Sequence, residues 1–408
     1  MMATKAALYP LLAVQLLAMA ALEMSGPFWP LYLRDGLQLS GQSLQWWSSA
    51  VYGLPLLGAL LSAPYWGRLG DLVGHKYMIM RALLALALTQ ALMAYVDTPL
   101  MLALARLGQG LFAGFIAAAQ AYALAGSDRG VRTAVLGRLQ AMTALGSLVG
   151  PILGGVIMDG FGFQHLLWSA SLLCAGLLLP VGMYLSGDRL AERSPLGPAP
   201  LPKRQALGVS TEMVLLLLLI TLVQLARMMP KVSFALYTDL QLQATGWQTG
   251  FLYALTGLAV ALSSPRWGRL FDSLSSSWQV PTYLAGVALF AAVLMLAHVY
   301  CQWFWLAALL RVLWGLCLGA LLPVLLAALS EYFQRQGQAI GWGQRAVKLG
   351  GLLGVGSAAL VVSRYGAVSS YWLIAALYLL VAVLLFWSAW RQRRSHAATL
   401  AQVQAALL

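Results

Sequence analysis

Acidic side chains are scarce in this chain. Twelve Asp and Glu stand against 25 Lys and Arg, and charged residues of either sign make up 9% of 408 residues. A chain folded in water cannot cover itself with so few charges, so lipid is the solvent for most of it. Cysteine is also rare. Cys174, Cys301 and Cys317 all lie in apolar stretches, which argues against a disulfide framework or a metal site. There is no phosphate loop, no metal-ligand spacing and no nucleophile–base arrangement, nor a polar domain to house one. No enzyme, cofactor or metal centre is therefore expected. The strict alternation of a membrane barrel strand is missing as well, as the run 214–221 shows.

What is present is apolar sequence, 61% of the chain. A membrane-spanning helix needs about 20 apolar residues, and twelve such stretches are found, at roughly 7–33, 44–64, 77–95, 99–125, 134–158, 163–186, 211–238, 246–264, 280–299, 302–329, 339–363 and 370–390. The expected fold is an all-α polytopic membrane protein of twelve transmembrane helices in two pseudo-symmetric six-helix bundles. The first run, with Lys5 before it and Ala18-Met19-Ala20 inside it, is similar to a signal peptide. It continues past that point to Leu33, and eleven more spans follow, so it is read as a span.

The net charge of +13 points to orientation and not to nucleic acid. Most cations sit in the N-terminus, the even-numbered loops and the C-terminal tail. Only Arg34 and Arg364 fall in odd-numbered loops. By the positive-inside rule both termini are cytoplasmic.

The segment 187–210 breaks the apolar pattern with Arg189, Glu192, Arg193, Lys203, Arg204 and four prolines. It reads as a solvated linker between an N-terminal bundle (1–186) and a C-terminal one (211–390), with 391–408 as a cytoplasmic tail. The halves repeat each other. The run from Ser62 to Asp71 recurs from Ser263 to Asp272. Arg106, Gly110 and Gly114 recur as Arg311, Gly315 and Gly319, and Gly146 and Gly150 as Gly350 and Gly354. The separation stays between 201 and 205 residues across three helices. Parallel repeats of six spans place a binding site at the membrane midplane.

Three motifs carry a resemblance. Loop 2–3 reads Gly67-Arg68-Leu69-Gly70-Asp71-Leu72-Val73-Gly74-His75-Lys76. Helix 4 carries Arg106, Gly110 and Gly114, and helix 5 carries Gly146, Gly150, Pro151, Gly154 and Gly155. With these the chain resembles the major facilitator superfamily, in particular its twelve-helix drug:proton antiporter branch. The resemblance implies alternating access, and for the helix 5 motif it implies an exporter. Gly67, Gly70 and Gly74 permit a tight turn. Asp71 either caps the next helix or pairs with a nearby Arg as a gate, and Arg68 belongs to the same gating motif. The glycines of helix 5 allow close helix contact, and Pro151 bends the helix. The second half departs from this motif, with Val355 in place of the proline and Ala358 and Ala359 in place of glycines.

Ionisable groups at membrane depth are costly and usually functional. Glu23 is the one clear carboxylate, ahead of Pro27 and Pro30 in helix 1. The family often places an acid four residues before such a proline pair, which marks Glu23 for proton coupling; a structural pairing with an Arg is the alternative. Six cations share the membrane region: Arg106, Arg227, Lys231, Arg311, Arg345 and Lys348. Arg227 and Lys231 share one helix face, as do Arg345 and Lys348. Arg106 and Arg311 either serve the substrate or satisfy helix-end carbonyls or Glu23. Buried cations want anions, and the substrate is their simplest source. Trp29, Gln120 and Tyr253 are candidate lining residues.

An anionic organic substrate, a polycarboxylate such as a citrate-type siderophore, follows. The cell interior is negative, so a trivalent anion leaving it gains roughly 7 kcal/mol per 100 mV. Export is therefore expected, from a bacterial inner membrane, by a monomer with no nucleic-acid partner. A broad multidrug:proton antiporter and a proton-coupled importer of an anionic nutrient are the alternatives.

Overall fold

The computed structural model describes residues 2–112, 114–125, 132–185, 211–274, 278–330 and 336–407. The expected linker 187–210 lies outside them. Among the described residues all regular structure is helical. The first helix, α1 (Met2–Met24), is extended to Gly36 by the short segments Trp29–Leu31 and Tyr32–Gly36. Pro27 and Pro30 fall at this break, where their missing N–H groups prevent a continuous ladder. Then follow α2 (Gly41–Val73), α3 (His75–Met93), α4 in two pieces (Pro99–Leu111 and Phe115–Ala125), α5 (Arg132–Phe161) and α6 (Phe163–Tyr184). The remaining helices are α7 (Thr211–Leu242), α8 (Gly246–Asp272), α9 (Gln279–Val299), α10 (Phe304–Ser330), α11 (Gln336–Tyr365) and α12 (Ser369–Leu407).

Ten of these segments are long and apolar enough to cross a membrane. The other two, α2 and α8, are 33 and 27 residues long. They carry the repeated polar run with Trp66 and Trp267, which lowers their hydropathy without shortening them. The expected tail does not separate from the last span: α12 runs on as helix to Leu407.

The chain divides into two compact units. The first is Met1–Val209 with Gln243–Ala254; the second is Ser210–Leu242 with Leu255–Leu408.

In the first unit α1 lies along α5 with almost no side chain between them. A methyl added at Gly150 would come within 2.5 Å of the Ala20 carbonyl, and Gly146 and Gly154 meet the carbonyls of Leu16 and Met24 in the same way. Lipid gives apolar side chains no reason to prefer protein, so helices gain by close backbone approach at small residues. Each rung is one helical turn above the last. α5 runs unbroken through Pro151, so the expected bend does not interrupt it. Helices α2 and α4 meet by the same device, with Gly58 against the Leu107 carbonyl and Gly110 against Pro55. Trp66 on α2 donates its indole N–H to the Leu111 carbonyl at 2.6 Å.

The second unit repeats these contacts. Gly350 lies against Thr221 and Gly354 against Leu225. Gly315 lies against Thr256 and Ala259, and Trp267 donates to the Leu316 carbonyl at 2.9 Å. The third rung is lost. Where Gly154 meets Met24 in the first unit, the second has the buried Ala358 and Ala359.

The turn between α2 and α3 corrects one expectation. Gly67 and Gly70 remain inside α2, and nothing lies within 4 Å of the space beside Gly67. Only Gly74 makes the turn, at φ +101°, a conformation that side chains with a Cβ rarely adopt. Its N–H returns to the Gly70 carbonyl at 2.9 Å and ends α2.

Candidate functional site

In the first unit the break in α1 builds a polar centre. The turn after Glu23 closes with Gly26 N–H donating to the Glu23 carbonyl at 3.0 Å. This folds the half-buried Glu23 side chain against Gly26: a methyl on Gly26 would lie 2.9 Å from Oε2. The Tyr52 hydroxyl, from α2, donates to the Gly26 carbonyl at 2.7 Å and fixes the turn from the other side. Arg106, from α4, donates through Nε to the Val51 carbonyl at 2.9 Å and through Nη1 to Gln109 Oε1 at 2.5 Å. Its guanidinium stands 5.0 Å from the centre of the Trp29 ring. The charges of Glu23 and Arg106 both act on Tyr52. Among the described residues Glu23 and Arg106 nonetheless form no direct ion pair. The carboxylate thus has a cation within electrostatic reach but is not consumed by it.

Trp29 is completely buried, with its ring edge-on to Phe163 at 5.0 Å. Its ring lies beside the Arg106 guanidinium. Gln120 on α4 and Tyr253 on α8 are half-buried.

The second unit holds the counterpart of this centre without its carboxylate. Arg311 occupies the repeat position of Arg106 and is buried. Its guanidinium lies 3.7 Å from the Phe234 ring centre, and Phe234 is the repeat position of Trp29. Arg311 donates to the Tyr371 hydroxyl at 3.0 Å. Tyr371 stacks on His298, their planes 7° apart, and Tyr237 donates to the His298 carbonyl at 2.9 Å. Two buried nitrogens of this cage, Arg311 Nε and His298 Nε2, have no hydrogen-bond partner.

The four cations expected to grip an anion separate into two levels. Gly350 on α11 is level with Thr221 on α7, and Gly354 with Leu225. Arg345 and Lys348 therefore lie before that level, and Arg227 and Lys231 beyond it. At 1.5 Å per residue, Arg227 stands roughly 16 Å along the axis from Arg345. Arg345 is exposed beside Trp342, 5.1 Å from its ring centre, and Lys348 is half-buried. Arg227 and Lys231 are half-buried, and Arg227 acts electrostatically on Tyr378, which accepts from the Trp314 indole at 3.1 Å.

Of the expected gating residues, Arg68 is exposed on α2, while the Asp71 side chain lies outside what is described. Gly146, Gly150 and Gly154 form the α1–α5 contact, and Pro151 lies where a methyl on Gly250 would fall. Sequence reasoning missed Asp159. At the last turn of α5 its two carboxylate oxygens accept from the N–H groups of Gly246 at 2.7 Å and Trp247 at 2.8 Å. It thereby caps the start of α8. The readable signal was a carboxylate one turn past Gly154-Gly155, facing a helix whose first residues are Gly246-Trp247.

A sequence model of the family described as Major Facilitator Superfamily matches residues 11–300 and 216–406. A "Staphyloferrin B transporter" of Staphylococcus aureus is 42% identical over 159 residues, 39% of this chain and 38% of that protein. The alignment thus spans well under half of that relative. A "Multidrug resistance protein MdtG" of Salmonella paratyphi A is 29% identical over 392 residues, covering 92% of this chain and 93% of the other. Among solved structures, the nucleoside transporter NupG superposes with a TM-score of 0.75 at 14% identity, over 95% of this chain and 98% of that one. This last likeness concerns the fold alone.

Proposed function

Because the chain belongs to the major facilitator superfamily, and is thus a multi-pass membrane transporter and not an enzyme, we propose that it is a proton-coupled exporter of an anionic organic substrate. The observation that carries the reading is the Glu23 carboxylate, held against Gly26 beside Tyr52 and Arg106 without a direct ion pair. A carboxylate locked to an Arg would hold its charge through the transport cycle. One that only feels the Arg can exchange a proton as the α1 break and α4 shift against each other.

The substrate side of the proposal rests on the cation excess. Arg227, Lys231, Arg345 and Lys348 bind carboxylates of a polyanion at two levels of the second unit, and Arg106 and Arg311 organise the two polar centres. A citrate-type siderophore fits two levels of cations better than a single carboxylate does. The relative named for staphyloferrin B transport, matched over 39% of this chain, supports a siderophore as substrate. Outward movement of a polyanion is also favoured by a negative interior. The bundles 1–186 and 211–390, joined by 187–210, alternate access in a bacterial inner membrane. Both termini are cytoplasmic and the chain acts as a monomer. Arg68 and Asp71 gate one end; Gly146, Gly150, Pro151 and Gly154 provide the sliding contact.

Reconstituted vesicles with an imposed pH gradient test the proposal. Wild type is expected to move citrate-type siderophore against its gradient and to acidify or alkalinise the lumen in step. Glu23→Gln is expected to abolish the gradient-driven component, leaving downhill exchange. Lys231→Gln with Lys348→Gln is expected to raise KM for the anion at least tenfold. Proton movement retained in Glu23→Gln on substrate addition would refute the coupling role.

A second reading, a multidrug:proton antiporter, is favoured by the 29% identity to MdtG across nearly the full length. A drug-susceptibility panel in an expressing strain separates it from anion export, and counterflow in the same vesicles separates export from import of an anionic nutrient.

A further inference from the structure

The last span ends in an arrangement that the transport reading leaves unused. Along α12, Leu379, Val383, Phe386 and Trp390 follow one another at helical spacing on one face, and all are exposed, Phe386 by 62%. Trp387 borders the same stripe and is also exposed. At the end of the stripe Arg394 comes one turn after Trp390, and Arg391 comes one turn after Trp387, on the edge of the stripe. Both are exposed, and three residues apart on a helix they are neighbours.

Each guanidinium lies over an indole. The Arg394 carbon is 3.8 Å from the Trp390 ring centre and that of Arg391 is 5.0 Å from Trp387. On the flank Arg393 lies 5.3 Å from Trp278, at the start of α9. A guanidinium laid on an aromatic face is held in orientation, while its N–H donors stay free at the edge of the plane. Among the described residues none of the three has an acidic partner. The sequence from Arg391 to the end contains no Asp or Glu.

We propose that this face is a binding site for an anionic phospholipid. Its acyl chains lie along Leu379, Val383, Phe386 and Trp390, and its headgroup phosphate is taken by Arg391 and Arg394. Charge complementarity selects the ligand, since three cations with no acidic partner among the described residues match a phosphodiester. The continuous apolar stripe leading to them matches the chains that a free phosphate lacks.

The test uses the purified full-length chain in nanodiscs containing equal amounts of phosphatidylglycerol and phosphatidylcholine, released into native mass spectrometry. Wild type is expected to retain phosphatidylglycerol in preference to phosphatidylcholine. R391Q/R394Q is expected to lose that preference by roughly tenfold or more, as two charges near an anionic headgroup are removed. R391K/R394K keeps the charges but not the planar fork, and is expected to fall between. R364Q, an exposed cation outside α12, is expected to match wild type. Equal retention by wild type and R391Q/R394Q would overturn the proposal. So would displacement of the lipid by millimolar inorganic phosphate, which would make this a free-anion site. The measurement does not depend on transport, so its failure leaves the export reading untouched.

Discussion

Glu23 is positioned by its own turn more than by its neighbours. The Gly26 N–H closes the turn, the Tyr52 hydroxyl holds it from outside, and the space that a Cβ on Gly26 would need is filled by the Glu23 carboxylate. Gly26→Ala should therefore act on Glu23 without touching it chemically. We expect pH-gradient-driven transport to fall about tenfold, the equivalent of about 1.4 kcal/mol, with insertion into the membrane unchanged. Flux in vesicles, compared with Tyr52→Phe, measures it. Tyr52→Phe removes one hydrogen bond worth about 1 kcal/mol and should have a smaller effect of the same sign. Sequence pattern revealed Glu23 because a lone acid in an apolar run is conspicuous. It did not reveal Gly26, whose missing Cβ leaves room for the Glu23 carboxylate, a relation visible only once the turn is built. The half-buried Arg106 and the buried Arg311 are engaged by a carbonyl, an amide, a hydroxyl and aromatic faces, contacts that helical spacing alone does not foretell.

At the scale of elements, the paired rungs of α1–α5 and α7–α11 carry the fold. Gly150 and Gly354 stand at repeat-related positions, and a side chain at either meets a backbone carbonyl at 2.5 Å. Backbone cannot yield as a flexible side chain can. Gly150→Val and Gly354→Val are each expected to cost about 3 kcal/mol, read as a lowered unfolding temperature in detergent. Gly176→Ala, in α6 with nothing within 4 Å, is expected to leave that temperature unchanged. These rungs were legible because glycine spacing and repeat offset both point to them. The depth of the four cations was not. Helical spacing gives the face on which Arg227, Lys231, Arg345 and Lys348 lie, but depth depends on how far α11 slides along α7, which the Gly350–Thr221 contact sets. The turn at Gly74 shows a similar limit. Three glycines suggested a loop, yet one positive φ suffices, and Gly67 and Gly70 stay helical because nothing pulls them out.

For the whole molecule, the near-constant repeat spacing is a physical symmetry as well as a textual one. Trp66 and Trp267 cap equivalent carbonyls, and Tyr32 and Tyr237 both donate to carbonyls near the end of the third helix in their half, Val96 just beyond α3 and His298 in the last turn of α9. Most of this contact pattern needs no covalent link through 187–210. Two polypeptides divided within that segment and expressed together are expected to restore transport, whereas either alone should not; vesicle flux decides. Failure of the pair, with both pieces inserted, would show that the segment does more than join.

The unbroken helix from Ser369 to Leu407 also has a mechanical meaning. From Trp390 to Leu407 it extends roughly 25 Å at 1.5 Å per residue. A rigid rod of that length is a pointer attached to the last span. A tilt of about 10° in that span moves the tip by roughly 4 Å over this length, enough for a distance probe placed near Leu407 to register motion of the membrane region that causes no other change at the surface.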